Sequence, residues 1–140
     1  MPDSTAADTA TTYTTRWADM DPNGHLRHSA YADFAADQRV RYLADAGFDL
    51  TALARLGLGP ILFSENSRYL KEIRIGETIR VEGRLLAIAD DGRRWTIEHI
   101  IYKQDGRPAA TITVECAWLD LTLRKLTVPP PELLALMRKM

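Results

Sequence analysis

The sequence predicts an α+β domain in which one long helix lies against an antiparallel sheet. Three observations carry that prediction. One helical apolar stripe occupies residues 29–46, period-two strand patterns fill residues 61–121, and tight glycine-containing turns separate those strands. At 140 residues the chain makes one domain with room for a real core.

Residues 1–12 lack the basic and apolar regions of a signal peptide and read as a frayed tail, leaving a single domain at 13–140. Residues 13–17 are short, β-branched and aromatic, which suits a first strand. A loop then runs to His28, Ser29 is the expected helix N-cap, and Gly47 is the expected terminator. Between them Tyr31, Phe34, Ala35, Gln38 and Tyr42 recur at helical spacing, while Asp33, Asp37, Arg41 and Asp45 form a charged face. Residues 48–59 suggest a further short helix stopped by Gly57-Leu-Gly-Pro60.

From Ile61 the pattern becomes β. Residues 61–75 are mixed and close at the Gly76-Glu77 turn. Residues 78–89 alternate through Ile79, Val81, Gly83 and Leu85, then change phase to Leu86 and Ile88, so a bulge is expected near Gly83. Asp90-Asp91-Gly92 and Gln104-Asp105-Gly106 read as hairpin turns around a strand at 93–103. The last long strand covers 108–121, with Ile112, Val114, Cys116 and Trp118 on one face. Pro129-Pro-Pro131 stops it, and residues 133–140 make a terminal helical turn or two. Strands this long twist strongly, so the sheet curls around its helix and leaves its edges open to pairing.

Composition excludes several function classes. Apolar residues make up 46% and charged residues 26%, a folded globular balance. A net charge of −1 supplies no field toward nucleic acid or anionic membranes, so neither partner is expected. No stretch approaches the ~20 apolar residues of a membrane span, and a cytoplasmic location is the expectation. The single cysteine, Cys116, makes no intramolecular disulfide and reads as a small core hydrophobe. His25 and His28 lie three apart without an HExxH helix or a third ligand, and His99 sits in a strand with no metal spacing. No metal and no cofactor is expected. Ser64 is not a nucleophile-elbow serine, since G-x-S-x-G is absent, and there is no P-loop or GxGxxG.

The chemistry concentrates in segment 16–31, Arg-Trp-Ala-Asp-Met-Asp-Pro-Asn-Gly-His-Leu-Arg-His-Ser-Ala-Tyr. On one reading Asp19 and Asp21 are ordinary loop carboxylates, with Asp21-Pro-Asn-Gly24 a favoured type I turn. On the other, the turn aims Asp21 at a cleft beside the helix start, where unpaired backbone N–H groups gather. A carboxylate beside N–H donors is what hydrolysis of an activated acyl group needs.

That segment, followed by a helix carrying Asp37-Gln-Arg39, resembles the signature of the hotdog-fold acyl-CoA thioesterases, in their 4-hydroxybenzoyl-CoA thioesterase-like branch. The resemblance covers roughly residues 13–121. It is specific in the loop and helix and only architectural in the strands. It implies a curved five-stranded antiparallel sheet wrapped around the long helix. It also implies a homodimer or homotetramer with sites at the protomer interface. It further implies that Asp21 is the catalytic carboxylate, as nucleophile or general base. His28 then lends its backbone N–H, and in some relatives its ring, to the carbonyl. By the same resemblance His25 organises the loop and Tyr31 lines the substrate site. Glu65, on a strand expected to run near the helix, is placed to line the acyl pocket. Arg93 and Arg94 stand where certain relatives hold Arg or Lys near the coenzyme A phosphates, the alternative being a solvated pair after a hairpin turn. Arg27-His28 departs from the Asn-Asn or Asn-His of many relatives. The implied reaction is hydrolysis of an acyl-CoA to a free acid and coenzyme A. A non-catalytic acyl-CoA-binding module and a hotdog hydratase or dehydratase are the alternatives. The acyl group stays open.

Overall fold

The computed structural model describes residues 9–140. Strand β1 (Thr11–Thr14) leads through a 3-10 turn (Trp17–Asp19) to helix α1 (His28–Asp45), then helix α2 (Leu50–Arg55). Four long strands follow: β2 (Leu58–Tyr69), β3 (Thr78–Ile88), β4 (Arg94–Tyr102) and β5 (Pro108–Asp120). The short β6 (Lys125–Leu126) and helix α3 (Pro131–Arg138) complete the chain. Every strand pairing is antiparallel, in the order β1-β3-β4-β5-β2, with β6 added beside β5.

Alternation builds the core. Ile79 and Val81 of β3, Trp95, Ile97 and Ile101 of β4, and Ile112, Val114, Cys116 and Trp118 of β5 are all buried. Each fully buried aliphatic side chain contributes about 1.5–3 kcal/mol. From α1 the sheet receives Ala30, Tyr31, Ala35 and Gln38. The small alanines let the helix approach closely. At Gly83 the approach is so tight that a Cβ would lie 2.5 Å from Gln38 Oε1.

Gly47 ends α1 as expected, at φ +96°, with its N–H donating to Ala44 O and the Phe48 N–H reaching Leu43 O. Gly92 and Gly106 take φ +80° and +89° in the two expected hairpin turns.

Five local expectations need correction. The first strand ends at Thr14, because Arg16 and Asp19 cap each other and wind Trp17–Asp19 into a 3-10 turn. The helix starts at His28 with Arg27 as its cap, so Ser29 is not the N-cap; its Oγ accepts from Arg27 Nε at 3.1 Å instead. Only Gly57 acts as the breaker, since Leu58, Gly59 and Pro60 already belong to β2. Proline is tolerated there because β2 is an edge strand. The β3 register slips between Leu85 and Ala87 rather than at Gly83, whose glycine serves helix contact. A second slip, between Leu62 and Ser64 in β2, had no sequence signal. Of the expected tail, residues 1–8 lie outside the described residues, while Thr11 and Thr12 pair within β1.

Candidate active site

The loop before α1 is built around two carboxylates with different environments. Asp19 is 3% exposed and is gripped by Arg16 through Nε at 3.2 Å and Nη2 at 2.9 Å, with the Arg16 N–H adding a third bond at 3.0 Å. The Arg16 guanidinium, aided by its N–H and by Arg27, holds the Asp19 carboxyl below the usual carboxylate range. Asp19 therefore shapes the loop, its carboxylate engaged by Arg16.

Asp21 is held by one oxygen only. Its Oδ1 accepts the Asn23 N–H at 2.8 Å and the His25 N–H at 3.1 Å, the self-bonded turn that Asp favours. Its own N–H donates to His25 O at 2.7 Å, and Gly24, at φ +77°, closes the bend. Among the described residues Oδ2 accepts no hydrogen bond. Asp21 lines an open cleft of about 360 Å³ together with His25, Leu26, His28, Tyr31, Tyr69, Leu70, Lys71 and Glu72.

The first turn of α1 opens on the same cleft. His28 is its first residue, and the Arg27 cap supplies no side-chain acceptor to the first N–H groups. Tyr69, at the end of β2, donates its hydroxyl to His28 O at 3.3 Å and meets Tyr31 edge-on at 5.1 Å. Burial first, then the neighbouring Tyr69 phenol and the carboxylates Glu77, Glu72 and Asp21, push the Tyr31 phenol up to about 12. Tyr31 stays protonated at neutral pH. His25 Nε2 lies 3.2 Å from Glu72 Oε2.

Within one chain the structure brings together Asp21, His25, His28 and Tyr31 of the residues singled out from sequence. The other three lie elsewhere. Glu65 is exposed on β2, close enough to Arg39 on α1 to act on it electrostatically. Arg93 pairs with Asp91 at 3.5 Å, and the Arg94 guanidinium sits 4.8 Å from the Phe63 ring centroid. Arg94 stands level with Ala117 and Ile61, whereas Tyr69 of the cleft stands level with Ala110 and Ile101. That is about seven residues, or roughly 23 Å, along the sheet.

Tyr69, Lys71 and Glu72 line the cleft without having been singled out. No motif marks them; they arrive because Leu26 N bonds Ile73 O at 2.7 Å, laying the β2–β3 connection along the motif loop. Farther along α1, an apolar chamber of about 160 Å³ runs from Ala36 to Leu43 against Pro60, Trp95, Trp118 and Met137. Its lining is mainly apolar, with Arg39 and Tyr42 the polar members. Beside it His99 is fully buried, with Nε2 3.1 Å from Arg39 Nη1. Burial, reinforced by Arg39, pushes His99 down to about 3 and keeps it neutral. No cluster of His, Cys, Asp and Glu among the described residues fits a metal ion.

A family model described as the thioesterase-like superfamily matches residues 15–137. Among curated protein sequences none matches the chain. Solved structures do. A Staphylococcus aureus protein in complex with CoA superposes with a TM-score of 0.87 at 20% identity, covering 96% of this chain and 85% of that one. A DHNA-CoA thioesterase from the same species gives 0.82 at 21% identity, with 93% and 88% covered. A 1,4-dihydroxy-2-naphthoyl-CoA thioesterase from Synechocystis gives 0.82 at 14% identity, with 91% and 93% covered. No helix among the described residues is long and apolar enough to cross a membrane.

Proposed function

As a member of the thioesterase-like superfamily with the hotdog fold, this chain is a thioester hydrolase, and we propose that it cleaves acyl-CoA at the Asp21 cleft. The observation that carries this reading is the asymmetry of Asp21, which lines the cleft: Oδ1 accepts two N–H groups, while Oδ2 accepts none among the described residues. A carboxylate fixed in this way keeps one basic, nucleophilic oxygen in a constant place.

Two routes use the same geometry. As a nucleophile, Asp21 Oδ2 attacks the thioester carbon, the C–S bond breaks, and the departing thiolate takes a proton from a water. The hydroxide so formed attacks the resulting anhydride, releasing the free acid and restoring the Asp21 carboxylate. As a general base, Asp21 instead takes a proton from a water that attacks the carbonyl, then returns it to the thiolate. On either route the carbonyl oxygen gains charge, and the His28 N–H at the positive end of α1 stabilises it. The His28 ring is available beside it, Tyr31 forms the wall, and His25 organises the loop. No metal or redox group takes part in either route.

Glu65, Arg93 and Arg94 join this scheme through a second copy. The β2 edge carries exposed Leu62, Phe63 and Tyr69 and has no strand beyond it among the described residues. Antiparallel pairing of two such edges sets the Leu62 end of one against the Tyr69 end of the other. The Arg93-Arg94 end of one protomer then approaches the Asp21 cleft of its partner, where guanidinium groups suit coenzyme A phosphates. We read the protein as a homodimer on this edge, two of which build a homotetramer if a further face associates, and as cytoplasmic.

Thiol release from aryl, short-chain and long-chain acyl-CoAs by the purified protein tests the reading. Turnover of at least one class is expected. Tight acyl-CoA binding without thiol release from any of them contradicts it.

A further inference from the structure

We propose that Glu72 is a positioning residue for this hydrolysis, acting through His25 to hold the Asp21 carboxylate in the cleft; the inference rests on the acyl-CoA reading above. Glu72 belongs to the connection between β2 and β3, far from the motif loop in sequence. Its carboxylate makes one polar contact among the described residues, Oε2 to His25 Nε2 at 3.2 Å. Its backbone is anchored: Ile73 O accepts the Leu26 N–H at 2.7 Å, His25 and Arg74 form a bridge, and Lys103 Nζ donates to Glu72 O. The acid is thus presented to the imidazole from a fixed base.

His25 passes that restraint on. It is tied twice to Asp21 through the backbone, giving its N–H to Oδ1 at 3.1 Å and taking the Asp21 N–H at 2.7 Å. The series Glu72 carboxylate, His25 ring and His25 backbone therefore ends at Asp21 Oδ1, the bonded oxygen, and through it fixes the carboxylate whose Oδ2 accepts no hydrogen bond among the described residues. The other charged or titratable groups on this cleft are His28, Lys71, Tyr31 and Tyr69. None of them bonds the His25 ring.

The Glu72 side chain is 64% exposed, so its pairing adds little to stability. Its effect belongs in the rate, where displacing a reacting group by ~1 Å can cost as much as 10²-fold. The test compares Glu72→Gln, Glu72→Asp, His25→Gln and the Glu72→Gln/His25→Gln double variant on an acyl-CoA that the wild-type protein hydrolyses. Glu72→Gln is expected to lower kcat about tenfold with KM within about twofold and Tm nearly unchanged. Glu72→Asp should recover part of that loss. In the His25→Gln background the Glu72 change should add nothing, the signature of two residues acting as one unit. Additive losses, a full-rate Glu72→Gln, or a loss that tracks Tm overturns the inference alone. If the wild-type protein hydrolyses no acyl-CoA, the acyl-CoA reading falls and takes this inference with it.

Discussion

Tyr69 donates its hydroxyl to the carbonyl of His28 at 3.3 Å, tying the last residue of β2 to the first residue of α1. One bond thus joins the edge strand to the helix end proposed to polarise the substrate carbonyl. Both residues line the same cleft.

Removing only that hydroxyl tests its importance. Tyr69→Phe keeps the edge contact with Tyr31 and loses the bond to His28 O. A typical intramolecular hydrogen bond is worth about 0.5–1.5 kcal/mol and this one is exposed, so the expected loss of stability lies at the lower end, about 0.5–1 kcal/mol. Turnover should fall by less than about tenfold, because the backbone of His28 stays in place. Denaturant midpoints and steady-state rates on the same preparation read both effects.

Gly83 should not tolerate a methyl group. A Cβ there would meet Gln38 Oε1 at 2.5 Å, and Gln38 is fully buried with its Nε2 bonded to Thr9 O. Swinging that amide aside would cost its bond to Thr9 O. Overpacking of this kind costs about 1–3 kcal/mol, so Gly83→Ala should lower the urea midpoint with the slope unchanged. A midpoint equal to the wild type would show that α1 lies farther from β3.

His99 predicts how stability depends on pH. The folded protein holds its imidazole neutral down to about 3, while the unfolded chain takes up a proton near its ordinary value of about 6.5. The unfolded state therefore binds more protons as pH falls, and stability is full above about pH 6.5 and declines toward pH 3. Between pH 7 and 5 this one group should remove about 2 kcal/mol. The Asp19 carboxyl, held low by Arg16, adds its own loss only at still lower pH. Unfolding measured at pH 7, 6 and 5 should show the decline, and His99→Gln should flatten it. An equal slope in the variant would assign the effect to other groups.

Much of the architecture could be read from residue spacing, for a physical reason. Ile112, Val114, Cys116 and Trp118 alternate because a half-buried strand must send every second side chain inward, and all four are buried. Gly47, Gly92 and Gly106 mark ends and turns because they sit at positive φ. The Asp21 turn was legible because Asp, Pro, Asn and Gly each have a local preference there. What escaped depends on tertiary register. The slip at Phe63 follows how β2 matches β5, and the Glu72 contact follows how the β2–β3 connection lies along the motif loop. Gly83 illustrates the limit of pattern alone: its change of phase was visible, but its reason lies across the core in Gln38.

Hydrolysis is assigned to Asp21 Oδ2, which accepts no hydrogen bond among the described residues. Asp21→Asn keeps a carbonyl oxygen able to accept the Asn23 and His25 N–H groups, so the loop should fold as before. The decisive measurement is kcat of this variant on the best acyl-CoA from the substrate panel, alongside its unfolding midpoint. The account predicts a fall of about 10²–10⁴ in kcat with the midpoint retained. A wild-type rate from Asp21→Asn would contradict it.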